Sequence, residues 1–497
     1  MSGSPPVLTL EAAVDPAGAA GLFRQPALSG RRAGRTRSVP VTLTWLDTAK
    51  GALAESGLAL EAGPGPRAPR RLLRSLPEPG APWRPGSPVP VEESLVPDGV
   101  PEAAEGSALL PIAAFEGRRV TVPLQGAVEA SLLHGTLRRP AGEAGAQPIA
   151  RLSLTGPPEE VLETMLALAE ALPLLPPRAA LAEEARAWAR QAPLRPRRLG
   201  APKLAEELGV EPALRLLIGH LAEVLVWHAP VAAAGQDPSG VHQMRVALRR
   251  LRSALKAFRA AADGPALRDF DEGLKGLAKT LGPARDWDVF LAGLGAELAE
   301  ALPGEPRILA LLAAGQRHRA EAYARLRAVL GGAGFRLLLW QAVALDLRSP
   351  WRAEADAAAE DRRAAPLEDL ASHLLAKAWR RMTAVGPEIA HLPDAEFHAL
   401  RLDGKRLRYL AELFAPLFGR KRSRRFLERL AEVQEQFGLA NDASVARALV
   451  EGEAHGDGAW AAGVAEGWVL ARSRRARARA EKAWAELLAA EAFWNQR

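Results

Sequence analysis

From Glu211 onward, apolar residues recur at three- and four-residue spacing along almost the whole chain. That is the periodicity of helices with one buried face. It predicts helices over 211–228, 238–260, 264–281, 283–302, 305–330, 333–347, 366–384, 393–416, 420–437, 440–452 and 459–493, each with the apolar stripe that a bundle needs. Residues 1–190 have a different texture. Val39 to Trp45, Arg119 to Leu124 and Ile149 to Leu154 carry short β-type patterns. Pro158 to Leu172 and Leu181 to Gln191 read as helices. A Pro/Gly/Arg stretch over 62–107 reads as long loop or local disorder, and a Pro/Arg linker runs from Pro193 to Pro202. The expected plan is therefore multidomain: an α+β domain over 1–190, a linker over 191–204 and an all-α domain over 205–495.

One helix stands out, from Val241 to Arg259. Asp237 suits its N-cap, with Pro238 at the first helical position, where a missing N–H costs nothing. Met244, Leu248, Leu251, Leu255 and Phe258 share an apolar face. Beside it His242, Arg245, Arg249, Arg252, Lys256 and Arg259 form a second stripe, roughly 26 Å long at about 1.5 Å per residue. No glutamate falls in that row to offset the repulsion, as solvated helix faces usually arrange. The row is either a wet basic face or a track for a long polyanion.

The stretch returns at an offset of 156 residues. His242 maps onto His398, Arg245 onto Arg401, Arg249 onto Lys405, Arg252 onto Arg408 and Phe258 onto Phe414. The same offset carries Gly282-Pro283-Ala284-Arg285-Asp286 onto Gly438-Leu439-Ala440-Asn441-Asp442. An offset shared by two separate blocks marks an internal duplication, with copies over about 205–345 and 360–495. Two basic helices facing each other would line a cationic cleft. Glu412 replaces Lys256 and Asn441 replaces Arg285, so the first copy should grip an anion more strongly. Lys275, Arg285, Arg317, Arg319, Arg336, Arg380, Arg381, Lys421 and Arg424 are candidates to extend the track.

His242 and His398 lie near helix starts, where free N–H groups and the macrodipole favour anions. Each could donate to an anionic oxygen. Neither has a second ligand at i+4 and the chain has no cysteine, so no metal site is expected. Asp286 and Asp442 read as helix caps, or as partners holding a stripe arginine in place. Nothing resembles a nucleophile–base pair, a P-loop or a zincin motif, so no catalytic residue is assigned.

The blocks His242-x-Met244-Arg245-Val246-x-x-Arg249-Arg250-Leu251-Arg252, Leu281-Gly282-x-x-Arg285-Asp286-x-Asp288-Val289 and His398-x-Leu400-Arg401-x-x-x-Lys405-Arg406-Leu407-Arg408-Tyr409 resemble the CHAD domain, the conserved-histidine α-helical domain. The resemblance spans about 290 residues in order, spacing and duplication. It implies two four-helix bundles around a basic pore that binds inorganic polyphosphate, and directs such a protein to polyphosphate granules. More weakly, residues 1–190 resemble a CYTH triphosphate tunnel, an antiparallel β tunnel. The echoes are Leu10 to Pro16, Trp45 to Thr48, Gly57 to Leu60 and Pro148 to Leu152. That family's opening E-x-E-x-K is replaced by Val7-Leu8-Thr9-Leu10-Glu11, its later metal-binding glutamates by Arg151 and Ser153, and an arginine by Glu61. Hydrolysis in such tunnels needs carboxylates for a hard divalent cation, so this domain is expected to be a catalytically inactive, degenerate CYTH-like fold.

Composition adds bounds. The net charge is only +7, so the argument rests on where charges sit. The start, Met1 to Pro6, lacks the basic and apolar regions of a signal peptide. The longest apolar tract, Leu214 to Ala234, is interrupted by Arg215, His220, Glu223 and His228, so no membrane span and a cytoplasmic protein are expected. Single-strand nucleic-acid readers interleave aromatics with cations. Only Tyr409 lies within a basic motif, so nucleic acid is expected to bind nonspecifically at most. The leading reading is a non-enzymatic polyphosphate binder without cofactor. The alternatives are a CYTH-type tripolyphosphatase and a general polyanion or RNA binder.

Overall fold

The computed structural model of the 497-residue chain describes residues 7–65, 70–76, 89–95, 101–140, 145–195, 200–353, 356–450 and 457–495. It divides into two compact units. The first comprises residues 1–199 and 331–348, and the second comprises residues 200–330 and 349–497.

The first unit is built on β1 (Leu8–Ala13), β2 (Arg37–Thr48), β3 (Leu58–Ala62), β4 (Arg70–Arg74), β5 (Val89–Leu95), β6 (Leu109–Leu124), β7 (Val128–Arg138) and β8 (Ala146–Gly156). They form one antiparallel sheet in the order β1-β8-β7-β6-β2-β3-β4-β5, curled into a half-barrel. Its helices are α1 (Pro16–Ala19), α2 (Pro26–Ser29), α3 (Ala52–Glu55), α4 (Pro158–Ala171) and α5 (Leu181–Ala189). Alternation along the strands sends odd-numbered side chains to one face: Thr9 and Glu11, Arg119 and Thr121, Glu129 and Ser131, Arg151 and Ser153. The registers Glu11↔Ser153, Ser131↔Ser153 and Glu61↔Arg71 place these residues side by side. Trp45, Phe115, Leu137 and Ile149 pack with Ala182 and Ala185 of α5.

Three strands contain the sequence segments read as β. β1, β3 and β7 were not legible as strands. In β7, Val128, Ala130 and Leu132 are buried on one face while Leu133 and Leu137 lie on the other, so apolar residues on both sides blur the alternation. The stretch read as loop over 62–107 holds β4 and β5 among its described residues.

The remaining helices are α6 (Val210–Ala234), α7 (Ser239–Ala257), α8 (Pro265–Phe290), α9 (Ala296–Ala301), α10 (Pro306–Gly331), α11 (Ala333–Arg348), α12 (Ala357–Ala364), α13 (Leu367–Thr383), α14 (Asp394–Phe414), α15 (Arg420–Val450) and α16 (Asp457–Leu488). The helix α11 groups with the first unit, whereas its sequence position suggested the first helical copy. Trp340 explains the assignment: its Nε1 donates to Leu174 O at 2.9 Å within that unit. Arg336 Nε likewise donates to Ala169 O at 3.0 Å.

Within the second unit, α6, α7, α8 with α9, and α10 make one copy, and α13, α14, α15 and α16 make the other. The copies meet about an approximate two-fold. At one end, Val210 N donates to Ala365 O and Leu367 N to Leu208 O. At the other, α7 and α14 converge. Gly240 lets α7 start hard against α6, since a Cβ there would lie 2.5 Å from Ala232 N.

Two expected breaks are absent. α8 runs through Gly282-Pro283, and α15 runs from Arg420 to Val450 across 437–440. Pro283 is solvent-exposed; its missing N–H removes a single rung, and packing of Leu281, Ala284 and Trp287 on either side holds the helix. Asp286 thus sits inside a helix rather than capping one. A five-residue π turn, Leu291–Gly295, follows α8. α7 begins at Ser239, one position later than the sequence suggested, with Pro238 rather than Asp237 at the N-cap; Asp237 accepts from Ser239 N at 2.8 Å just before it.

α6 is long and apolar enough to cross a membrane by length and composition, and 67% of its most apolar window is buried inside the protein.

Candidate functional site

The basic stripe of α7 does not act as one row. Arg252 is held by Asp271, Nε to Oδ1 at 2.7 Å, and Arg259 by Asp263 at 3.4 Å. Lys256 lines a separate cavity with α13 and α14, about 21 Å along the helix from His242 at its rise of roughly 1.5 Å per residue. The helix surface curves away over two turns, so cations in one helical row meet different neighbours.

What remains is a tight group at the amino-terminal half of α7. His242 and Arg245 lie within electrostatic reach of Arg249 and of Arg285, carried by α8. Asp286 is the carboxylate that answers Arg245. Tyr409 of α14 closes the group from the other copy, with Arg249 Cζ 5.2 Å from its ring centroid, a cation–π contact. Gly282 of α8 adjoins the group: a Cβ there would meet Arg245 Nη1 at 3.5 Å, an ordinary contact.

This group is electrostatically strained. Burial first, then Arg285, Arg249 and Arg245, hold the His242 imidazole below its ordinary range. Burial likewise lowers Arg245, with Arg249 and Arg285 adding to it against the attraction of Asp286. The Asp286 carboxyl is pushed up by burial despite its two arginine neighbours. Two guanidiniums, Arg245 and Arg285, thus share one partly desolvated carboxylate with Arg249 beside them, and positive potential is left over.

The second copy is weaker. His398 is exposed on α14, and Lys405 is half-buried. Arg401, the counterpart of Arg245, has its Nε buried without a hydrogen-bond partner among the described residues. Arg408 is engaged by Glu412 at 2.7 Å. Asn441 and Asp442 fall in α15 where side chains lie outside the described residues.

The outlying candidates are mostly spoken for. Arg319 Nε donates to Asp288 at 2.7 Å, its Nη2 to Gly235 O at 3.0 Å, and its guanidinium rests on Tyr323. It staples helices rather than offering itself to a ligand. Lys275 pairs with Glu272 at 3.0 Å, Arg424 with Glu428 at 3.6 Å, and Arg381 with Asp403 at 2.9 Å. Arg336 belongs to the first unit. Arg317, Arg380 and Lys421 are exposed.

The first unit holds a second cavity, of whose lining the sequence reading named Glu11, Glu61, Arg151 and Ser153 only as departures from the tunnel family. Its volume is about 380 Å³, and it is lined by Thr9, Glu11, Glu61, Arg71, Arg119, Glu129 and Arg151, with hydroxyls of Thr121, Ser131, Ser153 and Thr155. Arg151 is buried between Glu11, at 3.0 Å, and Glu184. Burial raises Glu61 despite Arg71 and Arg119 nearby. The alternation of odd-numbered residues was the available signal. Among the described residues, no group of three His, Asp or Glu is placed to hold a metal ion.

Residues 215–451 match the family model of the CHAD domain. The chain is similar to a crystal structure of the CHAD domain from the plant Ricinus communis, at 29% identity and a TM-score of 0.49, over 59% of this chain and 97% of that one. It is similar to PptA from Streptomyces chartreusis at 19% identity and a TM-score of 0.44, over 56% and 99% of the two chains. A Hippeastrum protein whose description names an adenylyl cyclase and a dominant triphosphatase activity matches at 15% identity and a TM-score of 0.27, over 38% and 97%. No curated protein matches the chain. The curled antiparallel sheet of the first unit is consistent with a CYTH-like tunnel.

Proposed function

We propose that the helical unit binds inorganic polyphosphate without hydrolysing it, through His242, Arg245, Arg249 and Arg285. The observation that carries this reading is the strained cluster itself. Holding these cations together with one carboxylate, partly out of water, opposes folding unless a ligand offsets it. A polyanion with roughly one charge per phosphate supplies that offset, and Arg forks onto paired oxygens. Arg401 extends the path toward the second copy. A protein that grips long chains in this way accompanies polyphosphate granules.

The first unit, on this reading, is catalytically inactive. Its carboxylates are compromised: Glu11 is spent on Arg151, and Glu61 faces Arg71. The competing reading, a tripolyphosphatase, draws on the three arginines and three glutamates around that cavity. Hydrolysis of tripolyphosphate by the full chain with Mg²⁺ or Mn²⁺ decides between them, and a metal-dependent rate lost on Glu61→Gln would favour the enzyme.

The binding test is titration of long-chain polyphosphate against the full chain across a salt series, with single-stranded RNA as comparator. Counterion release makes the affinity fall steeply with salt. Tight binding lost on Arg245→Ala with Arg249→Ala supports the proposal. Equal binding of RNA would make the protein a general polyanion binder.

A further inference from the structure

The duplication provides an internal control for every position of the helical unit, and at one place the copies diverge. In the first copy, Leu217, Leu221 and Val224 of α6 are buried, together with Ala247 and Ala254 of α7 and Leu413 of α14. Beside them Arg250 reaches Glu412 at 3.7 Å. The place is sealed.

The same place in the second copy is open. The offset is 157 between α6 and α13, as the paired bonds of Val210 to Ala365 and Leu367 to Leu208 show, and 156 between α7 and α14. His220 and Val224 are thus matched by Lys377 and Arg381, Ala247 by Asp403, and Glu412 by Lys256. The result is a cavity of about 290 Å³. Ala257, Leu374, Ala378 and Leu410 form its apolar lining, and Lys256, Lys377, Arg381 and Arg406 its cationic lining. Asp403 is already shared by Arg381 at 2.9 Å and Arg406 at 2.6 Å. The ion pair that closes the first copy is here a lysine beside an arginine.

We propose that this cavity is a second binding site, for a small organic phosphate. An apolar ring sits on Leu374, Ala378 and Leu410, and two or three phosphates meet Lys256, Lys377 and Arg406. Ordinary ligand pockets combine an apolar body with a few convergent polar groups in this way. The four cations outnumber the one carboxylate, so a multivalent anion is favoured over a neutral ring. The lining favours a ring-bearing phosphate over a bare one. This site is separate from the His242 cluster and does not depend on polyphosphate being that cluster's ligand.

The test is calorimetric titration of the full chain with ADP, with adenosine and inorganic diphosphate as controls. Saturable ADP binding is expected, at least tenfold tighter than either control. Lys256→Glu rebuilds the closing ion pair of the first copy, now with Arg406, and should weaken ADP at least tenfold with an unchanged circular dichroism spectrum. Lys377→Leu, which removes one of the four cations, should act in the same direction. Arg245→Ala with Arg249→Ala should leave ADP binding intact, which separates this site from the polyphosphate reading. ADP binding that is absent, insensitive to Lys256→Glu and Lys377→Leu, or lost with the Arg245 and Arg249 variants overturns the proposal. Diphosphate binding as tight as ADP overturns the ligand class.

Discussion

Phe258 and Phe414 occupy equivalent positions in the two copies and pack against each other, ring centroids 6.2 Å apart at an interplanar angle of 38°. Both are essentially without solvent exposure. They bring the ends of α7 and α14 together at the approximate two-fold, so the pose of the two basic helices depends on them. Phe414→Ala should cost about 3–5 kcal/mol through lost burial and the cavity left behind. A urea midpoint displaced by less than about 1 kcal/mol equivalent would mean that the copies are held elsewhere.

Arg249 and Arg252 lie one helical turn apart with the same chemistry and different partners. Arg249→Ala removes a cation resting on Tyr409, and should weaken polyphosphate binding roughly tenfold, or about 1.4 kcal/mol. Arg252→Ala removes the ion pair with Asp271, costs at most about 1 kcal/mol of stability, and should leave affinity within about twofold. Comparable losses of affinity in both variants would restore the long-row picture.

The pH dependence follows from His242. Its pKa in the folded protein lies below the ordinary range, because of burial and then its arginine neighbours. The unfolded chain therefore binds more protons as pH falls through about 6.5, and stability contributed by the neutral ring is lost below that point. Polyphosphate favours the protonated ring, so affinity should rise over the same descent. Melting temperatures and affinities from pH 7.5 to 5.5 test both trends. An identical pair of profiles for His242→Gln would remove this residue from the argument.

Asp286 opposes the ligand. Asp286→Asn should strengthen polyphosphate binding severalfold, since it removes the competing carboxylate. It should leave thermal stability unchanged or slightly raised at neutral pH, since burial of the ionised carboxyl outweighs its attraction to Arg245 and Arg285. A marked loss of stability, or unchanged affinity, would contradict this account of Asp286.

The helical unit was readable because its apolar residues recur every three or four positions and because Phe258, His242 and Arg245 return 156 residues later. The partners were not readable. Periodicity places Arg252 and Arg249 on one face of a helix. It does not say that Asp271 waits beside the first and Tyr409 beside the second. The Gly282-Pro283 pair looked like a break, yet packing around Leu281, Ala284 and Trp287 carries α8 through it. In the first unit the cavity residues alternate as strands require, but apolar side chains on both faces of β7 hid the pattern.

The placement of α11 has a consequence for the order of events on the ribosome. Domains ordinarily complete folding from the amino terminus as the chain is made. Here Trp340 supplies a buried hydrogen bond and a large apolar surface to the first unit, about 140 residues after its last other segment has been synthesised. The half-barrel must wait, incomplete, while α6 to α10 are added. Vectorial synthesis therefore cannot finish one unit before starting the next.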